Sequence, residues 1–166
     1  MLDHINEFFC YKDGSLIRIK KSGGQKVGSI AGWVTVCNGR FYRKMNIKRK
    51  VLYVHRVIFN LHHGYLPKYI DHIDGNSLNN KIENLREASQ SQNMANARKK
   101  STNTSGYKGV TFRKDTKKWQ SAIMVNGKHI SLGSYKDKKD AAMAYEAGAL
   151  KYYKEFAKTD RTENFI

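Results

Sequence analysis

Two Asn-Gly doublets, Asn38-Gly39 and Asn126-Gly127, each lie between strand-like runs. A type I′ turn needs positive φ at both central residues, so each doublet predicts a tight antiparallel hairpin. Around the first, EFFCY, SLIRIK, WVTVC and FYRKMNI read as short strands separated by KDG, KSGGQKVGS and NGR. Around the second, KGVTFRKD, WQSAIMV and HISLGSY read as three strands joined by the polar turns TKK and NGK. Strands grouped ahead of helices, without regular alternation, predict an α+β fold.

Three helices are expected, one of them starting near Ser89. In VHRVIFNLHHG the residues Val54, Val57, Ile58 and Leu61 recur at helical spacing and Gly64 suits the C′ position. Between Lys138 and Tyr153, the residues Ala141, Ala142, Tyr145 and Ala149 follow one helical face. Residues 95–106, ANARKKSTNTSG, run from a helical pattern into linker-like composition. The expected division is residues 1–98, a β-rich region leading into a core at about 51–98, a linker at 99–105, and a sheet-plus-helix module at 106–166.

The chain has 166 residues with 31 Lys and Arg against 14 Asp and Glu, a formal charge of +17. Apolar residues make up 40% and aromatic residues 11%, which excludes a disordered basic tail. Such an excess is self-repulsive in a compact state and points to a polyanionic partner, nucleic acid first. Residues 1–54 carry +8, residues 55–100 carry +3 and residues 101–166 carry +6. The flanks therefore read as the grip, and the less basic centre keeps acidic and polar groups for another task. No apolar stretch approaches the ~18–20 residues of a membrane span, and MLDHINEFFC lacks a secretory pattern, so a soluble cytoplasmic protein is expected. Cys10 and Cys37 form no C-x-x-C pair, and no zinc site is expected.

The centre holds KYIDHIDGNSLNNKIENLREASQSQNMANARK, residues 68–99. Asp71-His72 ends an extended run, a Gly- and Asn-rich loop follows, then Asn84-Leu85, and a helix starts near Ser89. Ser89 and Gln92 fit a capping box, which puts Asn93 about one turn into that helix. Phosphodiester hydrolysis needs a base for water and charge stabilisation at the phosphate. Neutral His suits the first task near pH 7. A hard divalent cation on one or two oxygen ligands suits the second. D-H-I-D-G-N alone could be an Asx-rich turn; Asp74 reads as a turn residue before Gly75. His62 and His63 read as helix C-terminal cations rather than metal ligands.

The motifs V-H-R (Val54, His55, Arg56), D-H (Asp71, His72), N-L (Asn84, Leu85) and Asn93 resemble the HNH homing-type endonucleases of ββα-metal fold. The resemblance implies His72 as general base, Asn84 as brace for the loop that orients His72, and Asp71 and Asn93 as ligands of one Mg²⁺ or Mn²⁺. Asn93 in place of the final His is the H-N-N form of the motif, which favours a hard metal over zinc. The resemblance also implies phosphate contacts at His55 and Arg56, double-stranded DNA as substrate, and a phage or bacterial setting.

Residues 105–156 resemble the APETALA/ethylene-response-factor DNA-binding domain through S-G-Y-K-G-V, K-W, L-G-S-Y and A-A-M-A-Y-E, with a terminal N-F at Asn164 and Phe165. That resemblance implies a three-stranded antiparallel sheet on one helix, inserted in the major groove. Its implied DNA contacts are Arg113, Lys118 and Trp119, with Lys108, Lys114 and Lys128 on phosphates. Thr111 and Met124 stand where that family commonly has base-reading Arg. The expectation is a metal-dependent DNA endonuclease, nicking or cutting both strands, with the oligomeric state open and a monomer one of the options. The competing expectation is a non-catalytic, sequence-specific DNA-binding or regulatory protein.

Overall fold

The structure is a computed structural model that describes residues 4–21, 24–97, 99 and 102–158. The N-F pair at Asn164 and Phe165, and residues 100 and 101 of the expected linker, lie outside the described residues. The chain divides into two compact units, Met1–Glu87 and Ala88–Ile166, each with its own core.

In the first unit a 3₁₀ turn, Ile5–Glu7, precedes the hairpin of β1 (Phe9–Lys12) and β2 (Ser15–Arg18), which pair antiparallel from Phe9↔Arg18 to Lys12↔Ser15. A meander follows, with β3 (Trp33–Cys37), β4 (Arg40–Ile47) and β5 (Lys50–Tyr53) in that spatial order. Asn38 and Gly39 adopt φ of 50° and 72°, as the doublet predicts. The β4–β5 turn uses Lys48 and Arg49 at φ of 46° and 64°. Neither residue signals a turn, so β5 was not legible in the sequence.

Helix α1 (Val54–His63) starts directly from β5 and stops at Gly64, whose left-handed backbone lets its N–H donate to the Asn60 carbonyl. Its buried Val54, Val57 and Ile58 pack with Leu16, Met45, Ile70 and Leu85 to form the first core. That core supports a two-stranded ribbon of β6 (Tyr69–His72) and β7 (Leu85–Ala88), with a 3₁₀ turn, Ile82–Asn84, leading into β7. The ribbon holds the two ends of the polar loop at fixed separation.

The second unit contains α2 (Gln90–Asn96), capped as the sequence predicts: Ser89 Oγ accepts from Gln92 N–H, and Gln92 Oε1 accepts from Ser89 N–H. Its sheet has β9 (Lys118–Val125) between β8 (Val110–Arg113) and β10 (Lys128–Tyr135), all antiparallel, with a bulge between Ser131 and Gly133. Helix α3 (Lys138–Tyr153) lays Ala141, Ala142, Tyr145 and Ala149 on Val110 and Ile123. Small residues along that face let helix and sheet approach closely. The architecture is α+β, as expected.

Candidate active site

Strand β6 ends at His72, so Asp71 and His72 escape the strict alternation of a continuing strand and both are buried, at 4% and 8% exposure. Each has a specific partner. Arg86, on the neighbouring β7, reaches Asp71 Oδ2 with both Nε and Nη2 at 2.9 Å. His72 Nε2 lies 3.0 Å from Oδ1 of Asn80, a side chain only 2% exposed. An amide oxygen can only accept, so Nε2 carries the proton and Nδ1 is the basic atom of the neutral ring.

The loop between β6 and β7 is built around Asp74. Its Oδ1 accepts from Asn76 N–H at 2.7 Å and Asn84 Nδ2 at 3.0 Å, and its Oδ2 accepts from Asn79 Nδ2 at 2.7 Å. Asn84 closes the ring: its Oδ1 accepts from Asp74 N–H at 3.0 Å and its Nδ2 also donates to the Asn79 carbonyl at 2.8 Å. Its carbonyl accepts from Ile73 N–H, while Gly75 N–H turns back onto the His72 carbonyl. Asn84 thus fixes the backbone on both sides of Asp74, one residue pair beyond His72. Burial pushes the Asp74 carboxyl up, but the bonds from Asn79, Asn76 and Asn84 outweigh it and hold the group below its ordinary range.

A second imidazole sits against the first. His55, at the start of α1, packs edge-to-face on His72 with ring centroids 5.0 Å apart, and also lies beside Tyr53 and Tyr42. Burial, then the neighbouring His72 and Arg56, lower its pKa to about 3. His72 is also lowered, chiefly by burial, against opposing contributions from Asn80, Asp74 and Asp71. Both rings therefore stay neutral at neutral pH, the form a general base requires.

The other expected site residues fall in varied environments. Arg56 directs its guanidinium to the carbonyls of Pro67 at 2.9 Å and Lys68 at 3.3 Å. Asn93 lies within α2, in the second unit, with its backbone N–H on the Ser89 carbonyl. Arg113 and Lys118 face each other across β8 and β9 and are exposed. Trp119 is half-buried on the side of the sheet that carries Ser121 and Ile123, its ring 5.0 Å from Phe112 and packed on the second core. Lys108 donates to the carbonyls of Met94 at 3.0 Å and Ala97 at 2.8 Å, closing the end of α2. Lys114 and Lys128 are exposed.

Sequence reasoning missed Asn80 and Arg86. Asn80 is one of several Asn in a polar loop, and only the fold distinguishes it. Arg86 had a weak signal, since two strands flanking a loop pair across it and place a cation opposite Asp71.

The HNH endonuclease family model matches residues 52–95. Over 76 residues, 45% of this chain and 63% of the relative, the sequence is 40% identical to Protein 3.8 of Escherichia phage T7. Over 113 residues, 66% of this chain and 58% of the relative, it is 34% identical to an uncharacterized HNH endonuclease of Acanthamoeba polyphaga mimivirus. The chain thus spans about six-tenths of the length of these curated relatives. No solved structure matches significantly. The segment that carries His55, the Asp71-His72 strand end, the Asp74 loop and most of α2 is the segment that matches the HNH endonucleases.

Proposed function

We propose that this protein is a metal-dependent DNA endonuclease whose general base is His72. The observation that carries the reading is the buried His72 itself: neutral, with Nε2 committed to Asn80 and Nδ1 as its basic atom, at the edge of a loop pinned by Asp74 and Asn84. In this reading Nδ1 takes a proton from water as the water oxygen bonds to phosphorus. The bond from phosphorus to the 3′-oxygen breaks and that oxygen takes a proton from solvent, leaving a 3′-hydroxyl and a 5′-phosphate.

The donor chemistry suits a hard cation, since Asp71 offers carboxylate oxygen. When bound there, one Mg²⁺ or Mn²⁺ would supply charge neutralisation at the phosphate and the departing oxygen. Among the described residues no three His, Cys, Asp or Glu side chains cluster as a metal site. Mg²⁺ is commonly held by one or two protein oxygens together with substrate phosphate, which is the arrangement proposed. Arg86 holds the Asp71 carboxylate in one orientation.

Double-stranded DNA is the proposed substrate, and the exposed Arg113 and Lys118 are proposed contacts on the outer face of the second unit's sheet. A sheet of this kind can enter a major groove. Trp119 and Lys108 act differently in this reading, as packing and helix-closing residues. His55 becomes a wall for His72 rather than a phosphate contact. The test is incubation of supercoiled plasmid with Mg²⁺, with Mn²⁺ and with EDTA, followed by end analysis. The expected result is metal-dependent nicking or linearisation with 5′-phosphate ends; an intact plasmid with every metal, or 3′-phosphate ends, would overturn it.

A further inference from the structure

In the first unit, a cleft of about 440 Å³ opens between the Ile5–Glu7 turn, the β1–β2 hairpin and the β4–β5 turn. That volume lies within the usual range of small-molecule sites. Its floor is apolar: Phe9 is buried and Ile47 packs on the first core. Its wall is Phe8, a large aromatic side chain left 40% exposed. Three cations line it, Arg18, Lys20 and Lys48, against the single carboxylate of Glu7.

The polar groups are not all satisfied from within. Glu7 is already shared by His4 Nδ1 at 2.7 Å and Lys20 at 3.6 Å. The Arg18 guanidinium lies over the Phe9 ring at 5.3 Å, and its Nε–H is buried with no acceptor among the described residues. Arg18 also lines the cleft beside Lys20 and Lys48, so an anion there would meet a cluster of cations. Arg suits an anion because its fork bonds phosphate oxygens with charge assistance. The exposed Phe8 ring offers a stacking surface for a base.

We propose that this cleft binds a nucleoside phosphate, its phosphate on Arg18 and Lys48 and its base against Phe8. The proposal is independent of the His72 reading, since no residue of the cleft belongs to that loop. The same chemistry is presented by a free nucleotide and by a nucleotide within a strand.

The test uses the full chain carrying His72→Ala, in EDTA, so that hydrolysis plays no part. Isothermal titration calorimetry is run with adenosine 5′-monophosphate, adenosine, inorganic phosphate and a short single-stranded oligonucleotide. The monophosphate should bind one to one, with adenosine and inorganic phosphate each weaker by roughly tenfold or more. Arg18→Gln should lose a similar factor. Lys48→Glu should do the same, and its exposed turn position keeps folding out of the comparison. Competition of the oligonucleotide with the monophosphate would assign the site to a strand, and lack of competition to a free nucleotide. Absence of monophosphate binding, or equal binding by both variants, would overturn the proposal.

Discussion

Asn80 controls which nitrogen of His72 is basic, although it touches no substrate atom in the proposed reaction. Asn80→Ala removes the acceptor for Nε2–H, and the proton can then redistribute between the ring nitrogens. Cleavage should fall by about 10–100-fold, the usual cost of losing an orienting partner, with the far-ultraviolet circular dichroism unchanged. His55 makes a separate, thermodynamic prediction. The unfolded chain takes up a proton on this residue near the ordinary imidazole value of ~6.5, whereas the folded chain resists it down to about 3. Between those values the unfolded state binds more protons, so stability is complete above ~6.5 and declines as pH falls. His72 adds in the same direction. Melting temperature measured from pH 7 to 4 should drop, and His55→Phe should flatten the decline by an amount on the order of a few kcal/mol at the acid end.

Helix–sheet packing in the second unit hinges on Gly109, where the chain enters β8. Its φ is +70°, and a Cβ there would overlap the Tyr145 ring of α3. Gly127, in the β9–β10 turn, has φ of +78° but open space around it. Gly127→Ala should therefore cost only the left-handed backbone penalty, about 1–2 kcal/mol. Gly109→Ala should cost more, by about 1–3 kcal/mol of overpacking, in chemical denaturation. Elements with a local cause were legible in the sequence: the Asn-Gly hairpins, the Ser89–Gln92 capping box, the Gly64 stop, and the alanine face of α3. The β4–β5 turn was not, because Lys48 and Arg49 adopt positive φ without a residue type that announces it. The candidate site was legible in its motif residues and illegible in their partners. Asp71 and His72 stand out by type and order, whereas the bonds from Arg86 and Asn80 exist only once β6 and β7 pair and the loop folds back.

Across the whole chain the charge of +17 has two different uses. Some cations are internal, such as Arg86 on Asp71, Arg56 on the Pro67 and Lys68 carbonyls, and Lys108 on the end of α2. Others lie on the surface, among them Lys118, Lys114, Lys128 and Arg113, the last in an exposed pair with Asp115. In the proposed reading these exposed cations meet the phosphates. DNA affinity should accordingly fall steeply with salt, and neutralising Arg113 and Lys118 together should reduce the log–log slope by about 0.9 for each phosphate no longer neutralised. Fluorescence anisotropy with duplex DNA from 50 to 200 mM salt, a window over which phosphate-dominated binding drops by roughly 10³–10⁵, measures this. In the same reading, cleavage depends on one ring. The most direct measurement is the single-turnover rate of plasmid cleavage with Mg²⁺ for wild type and His72→Ala, with and without added imidazole. Loss of cleavage by about 10²–10⁴-fold in His72→Ala, with partial recovery in imidazole, is the predicted result. Equal cleavage by wild type and His72→Ala would contradict the assignment of His72 as general base.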